Sequence, residues 1–231
     1  AAQAGSPQDR ESAAWAYTRL AFYEWQLGQS EKAQTALNAA LELYNAYAPA
    51  LLLEGRMLLA KEKANDALSP LQRAAALNPL PEYQWTLAEA LRSAGKPDEA
   101  AKIETQLTSK GAQDDPRTLA LFLATRNEST EKALRLAQAE LEARADVFTY
   151  DALAWALRAA GKTSEARDAM KKALAQGTKD ARLFYHAGVI AIQSHQNVEA
   201  RRFFQQAYAS RHLLLPSERE ALKQQMAAIP S

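Results

Sequence analysis

The chain has 231 residues, of which 48% are hydrophobic, so it holds enough apolar surface for a folded core and is not a wholly disordered chain. Its 28 basic and 27 acidic residues nearly balance, which gives no electrostatic reason to expect nucleic acid or an anionic membrane as a partner. The absence of cysteine excludes disulfides and cysteine-ligated metals, and no apolar run approaches the ~20 residues of a membrane span.

The N-terminal stretch AAQAGSPQDRES is small and polar, and it begins with Ala1. This composition suits the segment after a cleaved secretory signal, and it suits an inter-domain linker equally well. We expect residues 1–11 to be flexible, and we slightly favour a periplasmic or secreted bacterial protein over a cytoplasmic one.

Six alanines then recur at nearly constant spacing. They are separated by 34, 33, 33, 33 and 34 residues and form a ladder of Ala33, Ala67, Ala100, Ala133, Ala166 and Ala200. A period near 34 residues is typical of helix–turn–helix units that stack into a solenoid. Each unit reads as an apolar-periodic first helix, a short turn, and a second helix. We predict that the two helices cross at the ladder alanine, where a larger side chain would overpack the crossing.

The position five residues before each ladder alanine lies in the turn between the two helices. Glycine occupies it in the first, third and fifth units, where it favours a left-handed helix end: Gly28, Gly95 and Gly161. The second, fourth and sixth units have Glu62, Glu128 and His195 there, and this predicts tighter or strained turns. The fourth unit lacks both the glycine and a terminal proline, so we expect it to be the most distorted.

Two further signals mark helix starts. Asp115 followed by Pro116 predicts an N-cap with proline in the first turn. After the segment HLLLP, Ser217 and Glu220 match the capping-box spacing and predict a last helix that runs through Met226. A solenoid needs a terminal element with a polar outer face, so we interpret residues 213–231 as a C-terminal capping helix.

The tripeptide Gly161-Lys162-Thr163 matches the end of a phosphate-binding loop. The motif also needs a glycine five residues earlier, where Ala156 stands, and a preceding strand, where the pattern is helical. We therefore interpret the stretch as a helix–helix turn in which Thr163 or Ser164 caps the next helix, and we do not expect nucleotide binding.

The ladder, the glycine before it and the aromatic or leucine anchors of the first helices together resemble tetratricopeptide (TPR) repeats. The fullest copies are residues 14–49 and 148–177, and the resemblance covers residues 12–212. It implies an all-α, right-handed α-solenoid of six repeats, with first helices lining a concave groove and second helices forming the convex back. It also implies a protein that is not an enzyme, needs no cofactor and holds peptides or other chains.

On this alignment the first helices direct aromatic, arginine and acidic side chains into the groove. The predicted partner-binding set is Phe22, Arg56, Trp85, Glu89, Arg92, Phe122, Arg126, Asp151, Trp155, Arg158, Tyr185 and His186. Aromatic residues and arginine dominate binding hot spots. We expect groove exposure above all for Trp85, Phe122 and Trp155, and the alternative is that these aromatics pack between neighbouring repeats.

The leading hypothesis is therefore non-catalytic binding or scaffolding of an extended peptide or partner segment in the groove. One alternative is a periplasmic module that binds or guides a polysaccharide strand on aromatic platforms. Another is a structural subunit that docks into a larger assembly through Leu213, Leu214 and Leu215. No catalytic motif stands out, and the three histidines do not form a metal-ligand pattern. Neither nucleic acid nor membrane insertion is expected.

Overall fold

The computed structural model describes residues 7–229, and within that range every regular element is helical. The α-helices are α1 (Pro7–Gln26), α2 (Ser30–Leu43), α3 (Ala48–Ala60), α4 (Ala64–Leu77), α5 (Pro81–Ser93), α6 (Pro97–Asp114), α7 (Pro116–Arg126), α8 (Thr130–Ala143), α9 (Val147–Ala159), α10 (Thr163–Leu174), α11 (Ala181–Gln193), α12 (Asn197–Ala209) and α13 (Pro216–Ala228). A short 3-10 helix, Arg211–Leu213, precedes α13. The all-α prediction is confirmed.

Backbone contacts divide the chain into two compact units, Ala1–Glu104 and Thr105–Ser231, so the boundary falls inside α6. The first unit contains the helix pairs α1–α2 and α3–α4, followed by α5. The second unit contains the pairs α7–α8, α9–α10 and α11–α12, followed by α13. One continuous solenoid over residues 12–212 stays a prediction.

The ladder alanines lie in the core, as predicted, because each of the six is 0% exposed. Two of the facing first helices carry glycine where the second helix crosses them. A Cβ atom on Gly55 would lie 2.3 Å from Cγ of Leu71, and one on Gly188 would lie 2.4 Å from Cδ1 of Phe204. The crossings are therefore close enough to require small residues on one or both helices.

The turns follow the predicted division between glycine and other residues. Gly28, Gly95 and Gly161 adopt φ angles of 75°, 75° and 76° with nothing within 4 Å of an added Cβ atom, so backbone conformation alone favours glycine. Glu62 and His195 adopt the same left-handed conformation, at 60° and 59°.

The turn of the fourth repeat differs from this pattern. The sequence predicts that Glu128 takes the strained position, but its neighbours Asn127 and Ser129 have the positive φ angles, at 52° and 46°. The turn therefore holds two left-handed non-glycine residues instead of one. This agrees with the expectation that the fourth repeat is the most distorted.

The helix starts are partly as predicted. Asp115 caps α7, since its Oδ1 accepts a hydrogen bond of 3.0 Å from the Thr118 N–H. The N-cap of α10 is Lys162, which makes no side-chain capping bond, so the predicted capping by Thr163 or Ser164 is wrong because Thr163 is already helical. Helix α1 begins at Pro7, inside the segment expected to be flexible, and residues 1–6 of that segment lie outside the described residues.

The capping box predicted for the last helix is displaced by two residues. Helix α13 begins at Pro216, and the side chain that reaches back belongs to Glu218, whose Oε2 accepts a 2.8 Å hydrogen bond from the Leu215 N–H. Leu214 and Leu215 are each 4% exposed. The apolar segment before α13 is therefore a contact with the folded unit and offers little apolar surface for docking.

Candidate partner-binding site

The aromatic members of the predicted partner-binding set are buried. Trp85, Phe122 and Trp155 are only 4%, 2% and 3% exposed, so the expected groove exposure of these three is wrong. Large aromatic surfaces gain most from leaving water, and here they pack inside the fold. The set's other buried members are Glu89, Asp151, Tyr185 and His186.

The accessible members of the set are mainly arginines. Arg92 and Arg126 are exposed, while Phe22, Arg56 and Arg158 are partly exposed. The predicted site is thus divided between a buried group of aromatic and titratable side chains and an accessible group in which guanidinium groups predominate.

In the first unit the two arginines of the set are paired with acids. Arg92 forms a bidentate pair with Glu104, through bonds of 2.9 Å from Nε and 2.6 Å from Nη2. Arg56 lies 3.4 Å from a carboxylate oxygen of Glu82, and its guanidinium carbon is 5.7 Å from the ring centre of Trp25. Both arginines are held in place, and each keeps part of its side chain in solvent.

In the second unit the buried members form a connected cluster on α9 and α11. Nδ1 of His186 and Oδ1 of Asp151 are 2.8 Å apart, and both side chains are almost fully buried. The His186 ring stacks on Trp155, with ring centres 3.9 Å apart and an interplanar angle of 13°. Tyr185 adds a tilted contact to Trp155 at 5.8 Å.

Trp155 and Arg158 connect this cluster to α7. The indole Nε1 of Trp155 donates a 2.9 Å hydrogen bond to the Thr125 hydroxyl. Arg158 lies over the Trp155 ring, 4.0 Å from its centre, and its Nη2 donates to the Ala124 carbonyl and to Asn127 Oδ1. Burial lowers the pKa of the Arg158 guanidinium from its ordinary high value, and its Nε has no hydrogen-bond partner among the described residues.

An ion pair attaches α13 to the same cluster. Nε of Arg182 donates a 2.6 Å hydrogen bond to Oε1 of Glu218, which is 2% exposed. Burial by itself raises the pKa of Glu218, but the charge and hydrogen bonds of Arg182, the Leu215 N–H and the nearby His186 outweigh it, so the pKa lies below its usual range. Burial, with a smaller contribution from the Glu218 charge, raises the pKa of Tyr185 to about 12.

The predicted set omits three residues that complete this cluster. Thr125 stands eight residues before Ala133, as Arg158 stands eight before Ala166, so the register could have found it, and the register does direct Arg182 of the sixth unit towards the groove. Glu218 lies in α13, outside the repeats, and the sequence offered only its place near a capping motif. Its ion pair with Arg182 spans 36 positions, which no local pattern predicts.

The cluster holds its side chains in place through hydrogen bonds, ring stacking and an ion pair. In residues 7–229 no group of three or more His, Asp or Glu side chains is placed to hold a metal ion. The described helices also include none with the length and apolar character that crossing a membrane requires. What the accessible arginines of the predicted set offer chemically is hydrogen bonding and charge above aromatic rings.

Comparisons with known proteins give a fold and no sequence relative. No family model matches the chain, and no curated protein matches it in sequence. A tetratricopeptide repeat protein from Parabacteroides merdae is 15% identical, with a TM-score of 0.56 over 93% of this chain and 83% of that one. The structure titled human IFIT1 dimer with m7Gppp-AAAA is 18% identical, with a TM-score of 0.59 over 96% of this chain and 53% of that one.

The match to a third solved structure covers nearly the whole of that structure's chain. It is PilW, a type IV pilus biogenesis factor, which is 16% identical, with a TM-score of 0.50 over 91% of this chain and 98% of that one. At such identities the likeness establishes architecture and leaves ligands open. Together with the repeat period and the buried alanine ladder, it shows that the helix pairs of this chain have the tetratricopeptide-repeat fold.

Proposed function

We propose that the protein is a non-catalytic interaction module that binds an extended segment of a partner protein on the faces of its first helices. The fold supports this proposal because stacked helix pairs present long surfaces with many parallel side chains. The observation that carries it is the accessible arginine of the second unit, Arg126, which lies above a buried aromatic ring.

Arg126 is suited to capturing a carboxylate of a partner. Its guanidinium carbon is 5.6 Å from the ring centre of Phe122, and its side chain is 34% exposed. Its present acidic neighbour, Glu128, is 3.0 Å away but 53% exposed, and a surface pair of this kind contributes little stability. A partner carboxylate can therefore compete with Glu128 for a planar, two-bond pair with the guanidinium.

The buried cluster supplies a rigid support for this face. Trp155 is fixed by its bond to Thr125 and by the stacked His186 ring, and Arg158 is fixed above Trp155. Side chains that are already ordered lose less conformational entropy when a partner binds, which favours affinity. In this proposal the buried members of the predicted set shape the surface, and the accessible arginines contact the partner.

The test compares Arg126 with a matched arginine on a second helix. Arg202 also stacks on an aromatic ring, Phe203, at 5.1 Å, and also pairs with a nearby acid, Glu199. A photo-crosslinking amino acid replaces Glu128, beside Arg126, or Glu199, beside Arg202, so that both arginines are kept, and crosslinked species are recovered from the native host. We expect defined partner species from the position beside Arg126 and none of them from the position beside Arg202.

Equal crosslinking from both positions, or none from either, would contradict binding on the first-helix face. A second measurement uses Arg126→Ala and Arg126→Lys with the partner so identified. We expect Arg126→Ala to weaken binding by about 1.5–3 kcal/mol and Arg126→Lys to restore only part of the loss, because lysine cannot form the bidentate pair. The circular dichroism spectrum of each variant verifies the fold.

The polysaccharide alternative is not better supported, because the expected platforms are missing from the predicted positions. Sugar binding of the kind considered needs exposed aromatic platforms, and the tryptophans and phenylalanine expected to provide them, Trp85, Trp155 and Phe122, are buried. Docking through the HLLLP segment is not favoured either, because Leu214 and Leu215 are buried. Binding of a protein segment is thus the function that the described surface supports best.

A further inference from the structure

The guanidinium of Arg158 carries a charge that no acid of residues 7–229 pairs with. Its Nη2 atom donates two hydrogen bonds, and both go to uncharged oxygens, the Ala124 carbonyl at 2.8 Å and Asn127 Oδ1 at 2.9 Å. The neighbouring Tyr185 supplies no negative charge near neutral pH, because burial raises its pKa to about 12. A partly buried cation without an anion is an unfavourable arrangement, and a ligand anion relieves it.

The third repeat has an arginine at the same place, and there the anion is built in. Arg92 and Arg158 both stand eight residues before the ladder alanine of their repeat. Arg92 forms its bidentate pair with Glu104, which stands four residues after that alanine. In the fifth repeat the position of this acid is taken by Met170, which is 4% exposed. The fifth repeat therefore keeps the cation of this pair and has an apolar side chain in place of the anion.

The Nη1 atom is the part of Arg158 that a ligand can reach. Nη2 already donates to two acceptors, and Nε is buried, out of reach of a partner. No described residue accepts a hydrogen bond from Nη1, and the side chain as a whole is partly exposed. Trp155 lies 4.0 Å from the guanidinium carbon and fixes its orientation. An oriented guanidinium with free N–H groups is well suited to binding a carboxylate.

Arg158 and Arg126 both belong to the turn between α7 and α8. Arg126 directly precedes Asn127, the residue to which Arg158 donates, and Asn127 is exposed. Two acids lie beside the turn, Glu128 and Glu131, and both are exposed. Glu128 pairs with Arg126, and neither acid pairs with Arg158. The turn therefore offers a partner two cations, and for Arg158 the partner meets no competing acid.

We propose that Arg158 is a second carboxylate-binding residue beside Arg126, so that the partner segment is acidic and presents two carboxylates to this turn. This inference rests on the proposed function, because it adds a contact to the same first-helix face. Nη1 of Arg158 donates to one carboxylate, and Arg126 binds the other in competition with Glu128. The partner then supplies to Arg158 the anion that Glu104 supplies to Arg92 within the chain.

The first test measures the binding of a capped, fluorescent hexaglutamate peptide by anisotropy at about 100 mM salt. We expect the wild-type protein to bind it and Arg158→Gln to weaken binding at least about tenfold, because a hydrogen bond between charged groups is lost. Arg202→Gln removes the same charge from a ring-stacked arginine on α12 and should leave binding unchanged. The corresponding hexaglutamine peptide should not bind. Circular dichroism verifies the fold of each variant.

The second measurement needs no variant. It follows the Nε–H signal of Arg158 in the nuclear magnetic resonance spectrum of nitrogen-15-labelled wild-type protein, assigned through the carbons of the same side chain. Burial protects this group from exchange with solvent, so its signal reports on the guanidinium without contacting the ligand. Hexaglutamate should shift the signal, and hexaglutamine should not.

Failure of this inference can be told apart from failure of the proposed function. If Arg126→Ala weakens hexaglutamate binding while Arg158→Gln does not and the Nε–H signal stays fixed, the inference is overturned and binding at Arg126 stands. If hexaglutamate does not bind, yet crosslinking beside Arg126 still recovers a partner, the partner is not recognised as an acidic segment and the inference is again overturned. Equal weakening by Arg158→Gln and Arg202→Gln would indicate a general charge effect and would also overturn it.

Discussion

The two units bury the faces of their first helices with different chemistry. In the first unit the hydrophobic cluster between α3, α4 and α5 is mainly aliphatic, with Leu51, Leu71 and Leu87 among its members, and α5 also buries Trp85 and Glu89. In the second unit the first helices bury the Asp151–His186 pair and the Glu218 carboxylate beside aromatic rings. The same repeat architecture therefore accommodates either a mainly aliphatic buried face or one that contains paired polar groups. An aliphatic face tolerates rearrangement, whereas a buried polar cluster is stable only when each member keeps its partners.

The largest effect is expected from removing the centre of the polar cluster. Trp155→Ala deletes a buried indole together with its bond to Thr125 and its stacking on His186, so we expect a loss of about 3–5 kcal/mol of unfolding free energy. Because the damage is confined to the second unit, chemical denaturation followed by circular dichroism is expected to become biphasic. Leu87→Ala in the first unit is the counterpart, and there we expect the other transition to move. A single unchanged transition in both variants would show that the units do not differ in this way.

A smaller effect, dependent on pH, is expected from the Arg182–Glu218 pair. The pKa of Glu218 is lower in the folded state than in the unfolded state, so its stabilisation is present at neutral pH and is lost as the pH falls through the folded-state pKa. Glu218→Gln should cost about 2 kcal/mol near pH 7, because it leaves the partly exposed Arg182 without its anion. The loss should shrink as the solution is acidified.

The measurement for this pair is the unfolding free energy of both proteins across the acid range. The matched control is Glu82→Gln, which removes the acid of the exposed Arg56 pair in the first unit and should change stability little at any pH. Equal pH profiles for wild type and Glu218→Gln would rule out a stabilising role for the buried carboxylate.

The smallest effect is expected from the turns, and it should be the same in both units. Glu62 in the first unit and His195 in the second have positive φ angles at the position that glycine occupies in other repeats. Glu62→Gly and His195→Gly should each raise the unfolding free energy by about 1 kcal/mol, since glycine adopts this conformation without steric cost. Gly161→Ala should lower it by a similar amount. Thermal denaturation of the three variants measures these shifts, and destabilisation by either glycine substitution would contradict the explanation.

The repeat architecture could be predicted from the sequence because it rests on local, periodic features. The ladder alanines recur every 33 or 34 residues, glycine takes the turn position in alternate units, and Asp115 with Pro116 marks a helix start locally. The displaced capping box of α13 shows the limit of such motifs. Both Glu218 and Glu220 were available near the helix start, and the ion pair with Arg182 selects Glu218.

The exposure of the candidate site could not be predicted from the same features. Helical periodicity gives the direction of Phe122 and Trp155 around their helices, but the tilt between successive pairs decides whether that side meets solvent or another side chain. The hydrogen bond from Trp155 to Thr125 joins residues 30 positions apart, and the Asp151–His186 pair joins residues 35 apart. Contacts between residues about one repeat apart leave no local pattern in the sequence. They can be suggested only after the repeats are aligned, which places Trp155 and Asp151 on one first helix and His186 on the next.

The ladder alanines also determine how far a local lesion spreads. Within each unit a helix pair touches mainly its neighbours, so the pairs of one unit behave like a row of coupled elements in which cooperativity passes from one pair to the next. A bulky residue at Ala166 would separate α9 from α10 and would leave α11–α12 supported on one side by α13 alone. Amide hydrogen exchange in such a variant would fall off with distance from the lesion in steps of one repeat, and the length of each step would measure how strongly adjacent pairs are coupled.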